Sequence, residues 1–139
     1  MPTINKILET ALYVKDRARS QSFYETILGF RVLLDDGNRL TGMAVADSSQ
    51  VLLLFEEGAS TAGEKTPGGF IPPHDGHGTV HLAFAVDTAS LNDWTEHLQT
   101  NNVPVESVVH PPRGGTSVYF RDPDDNLIEI ASPGIWETY

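Results

Sequence analysis

The chain has 139 residues, enough for one compact core or two small modules sharing one. Nine Lys and Arg against 19 Asp and Glu leave a net charge of −10, which argues against nucleic acid as a partner, because phosphate backbones are held by Lys and Arg clusters. There is no cysteine, so disulfides, thiolate metal sites and thiol nucleophiles are excluded, and His and carboxylates remain as the strong metal ligands.

No apolar run approaches the roughly 20 residues that span a bilayer, so no membrane partner is expected. The opening Met1-Pro2-Thr3-Ile4-Asn5-Lys6 lacks a signal-peptide hydrophobic stretch, and a cytoplasmic location is expected. Ile7 to Val14 reads as a strand. Side chains alternate along a strand, so Glu9, Ala11 and Tyr13 share one face and Leu8, Leu12 and Val14 the other. Asp16 is placed to cap a helix whose Phe23, Ile27 and Leu28 recur at helical spacing, and Gly29 to end it. Residues 30–34, 41–46 and 51–55 read as strands, separated by Asp35-Asp36-Gly37-Asn38 and Asp47-Ser48-Ser49-Gln50 turns. The first module is thus βαβββ over 5–57.

Residues 58–78 are rich in Gly, Pro and small polar residues and show neither helical nor strand period, so they read as a linker or lid. The pattern then restarts. Val80-His81-Leu82-Ala83-Phe84-Ala85-Val86 repeats the first strand with His81 at the place of Glu9. A helix over 90–100 follows, with Leu91, Trp94 and Leu98 on one face and Asn101-Asn102 as its stop. Trp94 reads as helix core, and His97 and His110 as exposed. Strands over 103–109, 117–120 and 127–130 complete a second βαβββ module, 79–133.

Aligning the module ends sets Leu53 at the place of Glu129, with one extra residue in the second turn. If both modules present equivalent strands to one cavity, the four facing positions are Glu9, Leu53, His81 and Glu129, of which three can bind a metal. Glu9 in an apolar strand would need compensation for desolvation. Glu56 lies three residues beyond Leu53 and has the opposite strand parity, so it is not counted. Tyr119 and Ser117 share a strand face and are expected on the same wall as Glu129. Arg113, before Gly114-Gly115, is placed to steer an anionic oxygen. His74 and His77 are placed to close over the metal from the linker.

The chain resembles the vicinal oxygen chelate superfamily of glyoxalase I, extradiol dioxygenases, fosfomycin resistance enzymes and bleomycin resistance proteins. The marks are Gly29-Phe30, the His81 to Val86 strand, and Ser117 to Glu129 with its Asp122-Pro123-Asp124-Asp125-Asn126 turn. The resemblance implies an α+β fold, a single domain over 1–139 in which two βαβββ modules form a curved, partly open mixed sheet around a central metal cavity. It implies His81 and Glu129 as ligands of a divalent cation, and a homodimer. It also marks departures: Glu9 where His is frequent, Leu53 where Glu or Gln is frequent, and Asp125 where the family turn has Gly, a position that Asp tolerates in the left-handed region.

One His and two carboxylates, Glu9, His81 and Glu129, suit Mn, Fe, Mg or Zn. Either Glu9 or Glu129 is available as a catalytic base. The expected function is a divalent-metal-dependent enzyme on a small oxygenated substrate, with glyoxalase-like lyase or isomerase chemistry and dioxygenase chemistry both open. Fosfomycin modification is disfavoured, since an anionic substrate would want a basic pocket and few basic residues fall near the expected site. The alternative is a metal-free, bleomycin-resistance-like protein that sequesters a cationic drug, which the net charge fits.

Overall fold

The computed structural model describes all residues from Met1 to Tyr139. Its contacts divide the chain into two compact units, Met1–Gly78 and Thr79–Tyr139. Each carries one four-stranded sheet.

In the first unit, β1 (Glu9–Val14) leads into α1 (Arg17–Leu28), then β2 (Arg31–Asp35), β3 (Leu40–Ala44) and β4 (Val51–Glu56). The spatial order is β1-β4-β3-β2, with β1 and β4 parallel and the other pairs antiparallel. The crossover through α1 is what a parallel pair requires. Asp16 caps that helix as the sequence predicts, its carboxylate accepting from the Arg19 backbone N–H at 3.0 Å. Gly29 ends it at φ 70°, in the left-handed conformation that costs glycine least. The helix buries Tyr24 as well as the expected Ile27 and Leu28, and Tyr24 stacks on Phe30 with ring centres 5.9 Å apart. With Leu12, Val14, Met43, Leu52 and Leu54 these side chains form the first unit's core. Each large apolar side chain buried so fully contributes about 1.5–3 kcal/mol.

Residues 58–78 are not without strands. A hairpin of β5 (Glu64–Thr66) and β6 (Gly69–Ile71) turns at Pro67-Gly68, and Thr66 closes it by donating its hydroxyl to the Gly69 carbonyl. Strands of three residues are too short for alternation to register in the sequence, which is why the segment reads as a plain linker.

The second unit repeats the order: β7 (His81–Ala85), a single 3₁₀ turn, α2 (Leu91–Thr100), β8 (Ser107–Val109), β9 (Ser117–Arg121) and β10 (Leu127–Ala131). The sheet order is β7-β10-β9-β8, again with one parallel pair, β7 and β10. Both units are therefore βαβββ, and the fold is α+β with two open four-stranded sheets. The strand expected over 103–109 is shorter: the Glu106 N–H donates to the Tyr119 carbonyl at 2.8 Å, regular pairing runs over Ser107–Val109, and Pro104 has no N–H with which to extend it. Asp125 adopts φ 66°, the left-handed position its turn demands. Trp94 is half-buried, and His97 is not fully exposed as expected: its ring meets Trp94 edge to face at 5.6 Å. No helix is long and apolar enough to cross a membrane.

Candidate active site

The two sheets present equivalent faces. Ala11 stands opposite Leu53 in the parallel pair of the first unit, and Ala83 opposite Glu129 in that of the second. Glu9 and His81 each stand one alternation earlier, opposite Val51 and Leu127. The equivalence of Leu53 with Glu129, and of Glu9 with His81, is thus realised in register.

On the second unit's face, Glu129 also lies opposite Tyr119, and Tyr119 opposite Ser107, so these side chains form one row. Ser117 is in the next row, opposite Ala131 and Val109. Glu129 is buried, and its Oε2 is 3.1 Å from Nε2 of His81, whose side chain is half exposed. The other ring nitrogen, Nδ1, is 3.0 Å from the Leu127 carbonyl oxygen. A carbonyl only accepts, so Nδ1 carries the proton. In the neutral ring Nε2 then presents a lone pair to a carboxylate oxygen, an arrangement that requires a positive centre between them, either a proton or a cation. Tyr119 flanks the pair, its ring centre 6.2 Å from that of His81.

The first unit's face forms a cavity of about 540 Å³ lined by Glu9, Ala11, Leu34, Leu40, Leu53 and Phe55, with Arg39, Ile71 and His74 completing it. Glu9 is exposed, so the compensation for burial expected of it is not demanded within the chain. His74 comes from the segment after the hairpin. Its Nδ1 meets the Tyr13 hydroxyl at 2.8 Å, and its ring stands edge-on to Phe55 at 4.6 Å. Tyr13 stacks on Phe55 at 5.8 Å, and Gly76 lies against the Tyr13 ring so closely that a Cβ there would come within 2.5 Å of it. Burial first, and the Asp75 carboxylate second, push the Tyr13 phenol above its ordinary pKa.

Arg39 is the residue that sequence reasoning missed. It is buried, its guanidinium 5.1 Å above the Phe55 ring, with one nitrogen donating to Ser60 at 3.1 Å and another paired with Glu64. Nothing in a turn-flanking Arg signals this; Phe55, by contrast, shares strand parity with Leu53 and Tyr13, and that parity marks it for the same face. Glu56 points to the other side, where Arg17 of α1 lies 3.7 Å away, as its parity requires.

Of the expected site residues, the structure brings together His81, Glu129 and Tyr119, with Ser117 buried in the adjacent row. Glu9 and His74 line the first unit's cavity. His77 and Arg113 are exposed on loops. Neither unit by itself gathers three His or carboxylate side chains into a metal cage.

Paired βαβββ units with a His–carboxylate pair on a sheet face define a glyoxalase-type fold. The family model of the Glyoxalase/Bleomycin resistance protein/Dioxygenase superfamily matches residues 6–130, and the chain belongs to that superfamily. It is 30% identical to a lactoylglutathione lyase of Haemophilus influenzae over 128 residues, covering 90% of each chain. To a virulence protein of Salmonella typhimurium it is 33% identical over 135 residues, 92% of this chain and 84% of that one. The crystal structure of a lactoylglutathione lyase from Agrobacterium tumefaciens matches it with a TM-score of 0.87 at 30% identity, over 98% of this chain and 99% of that one. A fosfomycin resistance protein from Listeria monocytogenes, solved with Mn(II), shares the fold at 20% identity and a TM-score of 0.67, over 92% and 90%.

Proposed function

We propose that the chain is a divalent-metal-dependent enzyme of this superfamily, acting on a small oxygenated compound by lyase or isomerase chemistry. The observation that carries the reading is the His81–Glu129 pair, two donor atoms 3.1 Å apart with the imidazole tautomer set by a backbone carbonyl. Donors that each bind one cation at about 2.0–2.2 Å stand roughly this far apart, so the donor set fits a metal. His81 Nε2 and Glu129 Oε2 would hold the ion, with Glu9 as third ligand by its equivalence to His81. Bound there, a divalent cation would supply Lewis-acid stabilisation of negative charge developing on a substrate oxygen.

The chain's own groups supply the rest. The Leu127 carbonyl orients the imidazole through Nδ1–H, and the sheet holds Glu129 in its buried place. A carboxylate of the set, Glu129 or Glu9, serves as the base that takes a proton beside a substrate carbonyl. Tyr119, opposite Glu129, offers a hydroxyl to a substrate oxygen, and Ser117 continues that wall. His74 contributes from the first unit's cavity. His77 and Arg113, both exposed, contribute from their loops, Arg113 toward an anionic oxygen. One His with two carboxylates departs from the two-His, one-carboxylate set of non-haem iron oxygenases, which favours lyase or isomerase over dioxygenase chemistry.

The active form is a homodimer, and the ligand set draws on Glu9 of this chain or of its copy. The lactoylglutathione lyases, alike in sequence and fold, and the protein solved with Mn(II), alike in fold, support the metal-dependent reading, while the dimer rests on the family resemblance. Calorimetric titration of metal-stripped protein with Mn(II) tests it. One site per chain, lost in His81→Ala, supports the enzyme; absence of any Mn(II), Mg(II), Fe(II) or Zn(II) site would leave the drug-binding alternative.

A further inference from the structure

The Asp122-Pro123-Asp124-Asp125-Asn126 turn takes no part in the chemistry proposed above, yet it lies just ahead of β10 and against the residue that precedes His81. That residue is Val80. In a parallel pair with His81 opposite Leu127, the Val80 carbonyl accepts from the Leu127 N–H, as it does at 2.8 Å, and the ladder would give the Val80 N–H the carbonyl of Asp125. Asp125 does not supply it. Its backbone has turned to φ 66°, and its carbonyl accepts from the Arg121 guanidinium at 3.0 Å. The side-chain oxygen of Asn126 takes that place in the ladder, accepting from the Val80 N–H at 3.0 Å.

Asn126 is buried, and chemistry decides which way its amide faces. Nδ2 lies 2.8 Å from Oδ2 of Asp122, and an ionised carboxylate only accepts, so Nδ2 donates there and Oδ1 is left to face Val80. The backbone N–H of the same Asn126 donates to Asp122 Oδ1 at 2.9 Å. One residue thus fixes the start of β10 through its main chain and the lead-in to β7 through its side chain. Those two strands carry the donor pair: His81 opens β7, and Glu129 lies two residues beyond Leu127 on β10. A slip of one residue between them would move His81 by about 3.3 Å and turn it to the other face. In the first unit Gln50 stands at the place of Asn126, and it bonds through its backbone, to Ser48 and Val45. The side-chain clamp belongs to the unit that carries His81 and Glu129.

We infer that Asn126 is a positioning residue of the His81–Glu129 pair: oriented by Asp122, its side-chain oxygen holds Val80 and so sets where His81 leaves β7 toward the Glu129 carboxylate. This role rests on the functional reading above, in which the pair holds a divalent cation.

The test exchanges the two side chains. Asn126→Asp sets a second carboxylate against that of Asp122, and Asp122→Asn leaves a donor facing a donor in every orientation of the two amides. The double exchange restores each bond, since the amide at position 122 donates to the carboxylate at 126, whose other oxygen accepts from Val80. In the metal-stripped full chain at about pH 8, where an ordinary imidazole is neutral, long-range proton–nitrogen NMR is expected to show His81 as the single Nδ1–H tautomer in the wild type. Each single variant is expected to show a mixture of tautomers, and the double exchange the single tautomer again. Mn(II) affinity, by calorimetry, is expected to fall about tenfold in each single variant and to recover in the double. Gly37→Ala, which costs stability in the other unit, is expected to leave the His81 ring signals unmoved, so that loss of stability alone does not account for the change. Single variants that keep the wild-type tautomer overturn the inference, as does a double exchange that fails to restore it. Should a single variant not fold, the double exchange decides by the same signals. A wild type that binds no cation overturns the metal reading alone, and the metal-free ring signals still decide the role of Asn126.

Discussion

His81 is held from both sides of its ring: Nδ1 by the Leu127 carbonyl at 3.0 Å and Nε2 by the Glu129 carboxylate at 3.1 Å. Two acceptors on one imidazole leave a place for one positive centre. Removing the carboxylate charge while keeping its shape is therefore informative. Glu129→Gln is expected to weaken divalent-metal binding by about 10–100-fold or more, with no loss of fold, as measured by competition against a fluorescent chelator. Undiminished affinity would remove Glu129 from the ligand set.

The turn between β9 and β10 depends on Asp122, whose Oδ1 accepts from the backbone N–H groups of Asp124 and Asn126, both at 2.9 Å, while Oδ2 accepts from the Asn126 amide at 2.8 Å. Asn126 in turn accepts from the Val80 N–H at 3.0 Å and so ties the turn to the start of β7. Within it Asp125 alone bears a left-handed φ. Asp125→Gly is expected to stabilise the chain by up to about 1 kcal/mol in urea unfolding, because glycine adopts that conformation without a Cβ penalty. A destabilised variant would mean that the Asp side chain contributes contacts outweighing that penalty.

Gly115 combines φ 75° with a crowded Cβ position, 2.8 Å from both the Ser132 carbonyl oxygen and the Ile135 side chain. Gly37 has nearly the same φ, 71°, and open space. Gly37→Ala should cost about 1–2 kcal/mol, the backbone penalty alone. Gly115→Ala should cost clearly more, since the Ser132 carbonyl is backbone and cannot swing aside. Equal losses in chemical denaturation would show that the segment after β10 yields freely.

The β2–β3 turn sets a pH dependence. Burial raises the Asp36 pKa, but backbone N–H bonds from Leu40, Asn38 and Arg39 outweigh it together with the Arg17 charge, so the net shift is downward. A depressed carboxyl contributes stability that is present above its unfolded pKa of about 4 and is lost as pH falls through the folded value. Wild-type stability is thus expected to fall as pH drops below about 4, and Asp36→Asn to show a shallower fall over the same range, by urea titration at successive pH values. Identical slopes would assign the acid sensitivity to other carboxyls. Because the same turn aims Arg39 at Phe55, the variant should also loosen the cavity wall.

Much of this architecture is legible in the sequence. Alternation gave the faces of β1 and β7, caps gave the limits of α1, and the repeat gave the correspondence of Leu53 with Glu129 that the register bears out. Parity placed Tyr119 in the row of Glu129 and turned Glu56 toward α1. What escaped were features set by contacts distant in sequence. The β5–β6 strands are too short to carry a period, and Arg39 gains its role only when Ser60 and Glu64 arrive from beyond β4. The Tyr13–His74 bond spans 61 residues, and no local pattern announces it.

His81 Nε2 and Glu129 are proposed to share a divalent cation. Long-range proton–nitrogen NMR of the histidine rings, followed as Zn(II) is added to metal-stripped protein, tests it most directly. His81 Nε2 is expected to move to a metal-ligated nitrogen shift at one equivalent while Nδ1 stays protonated against the Leu127 carbonyl. A His81 ring unmoved by the ion, or one ligated through Nδ1, would contradict it.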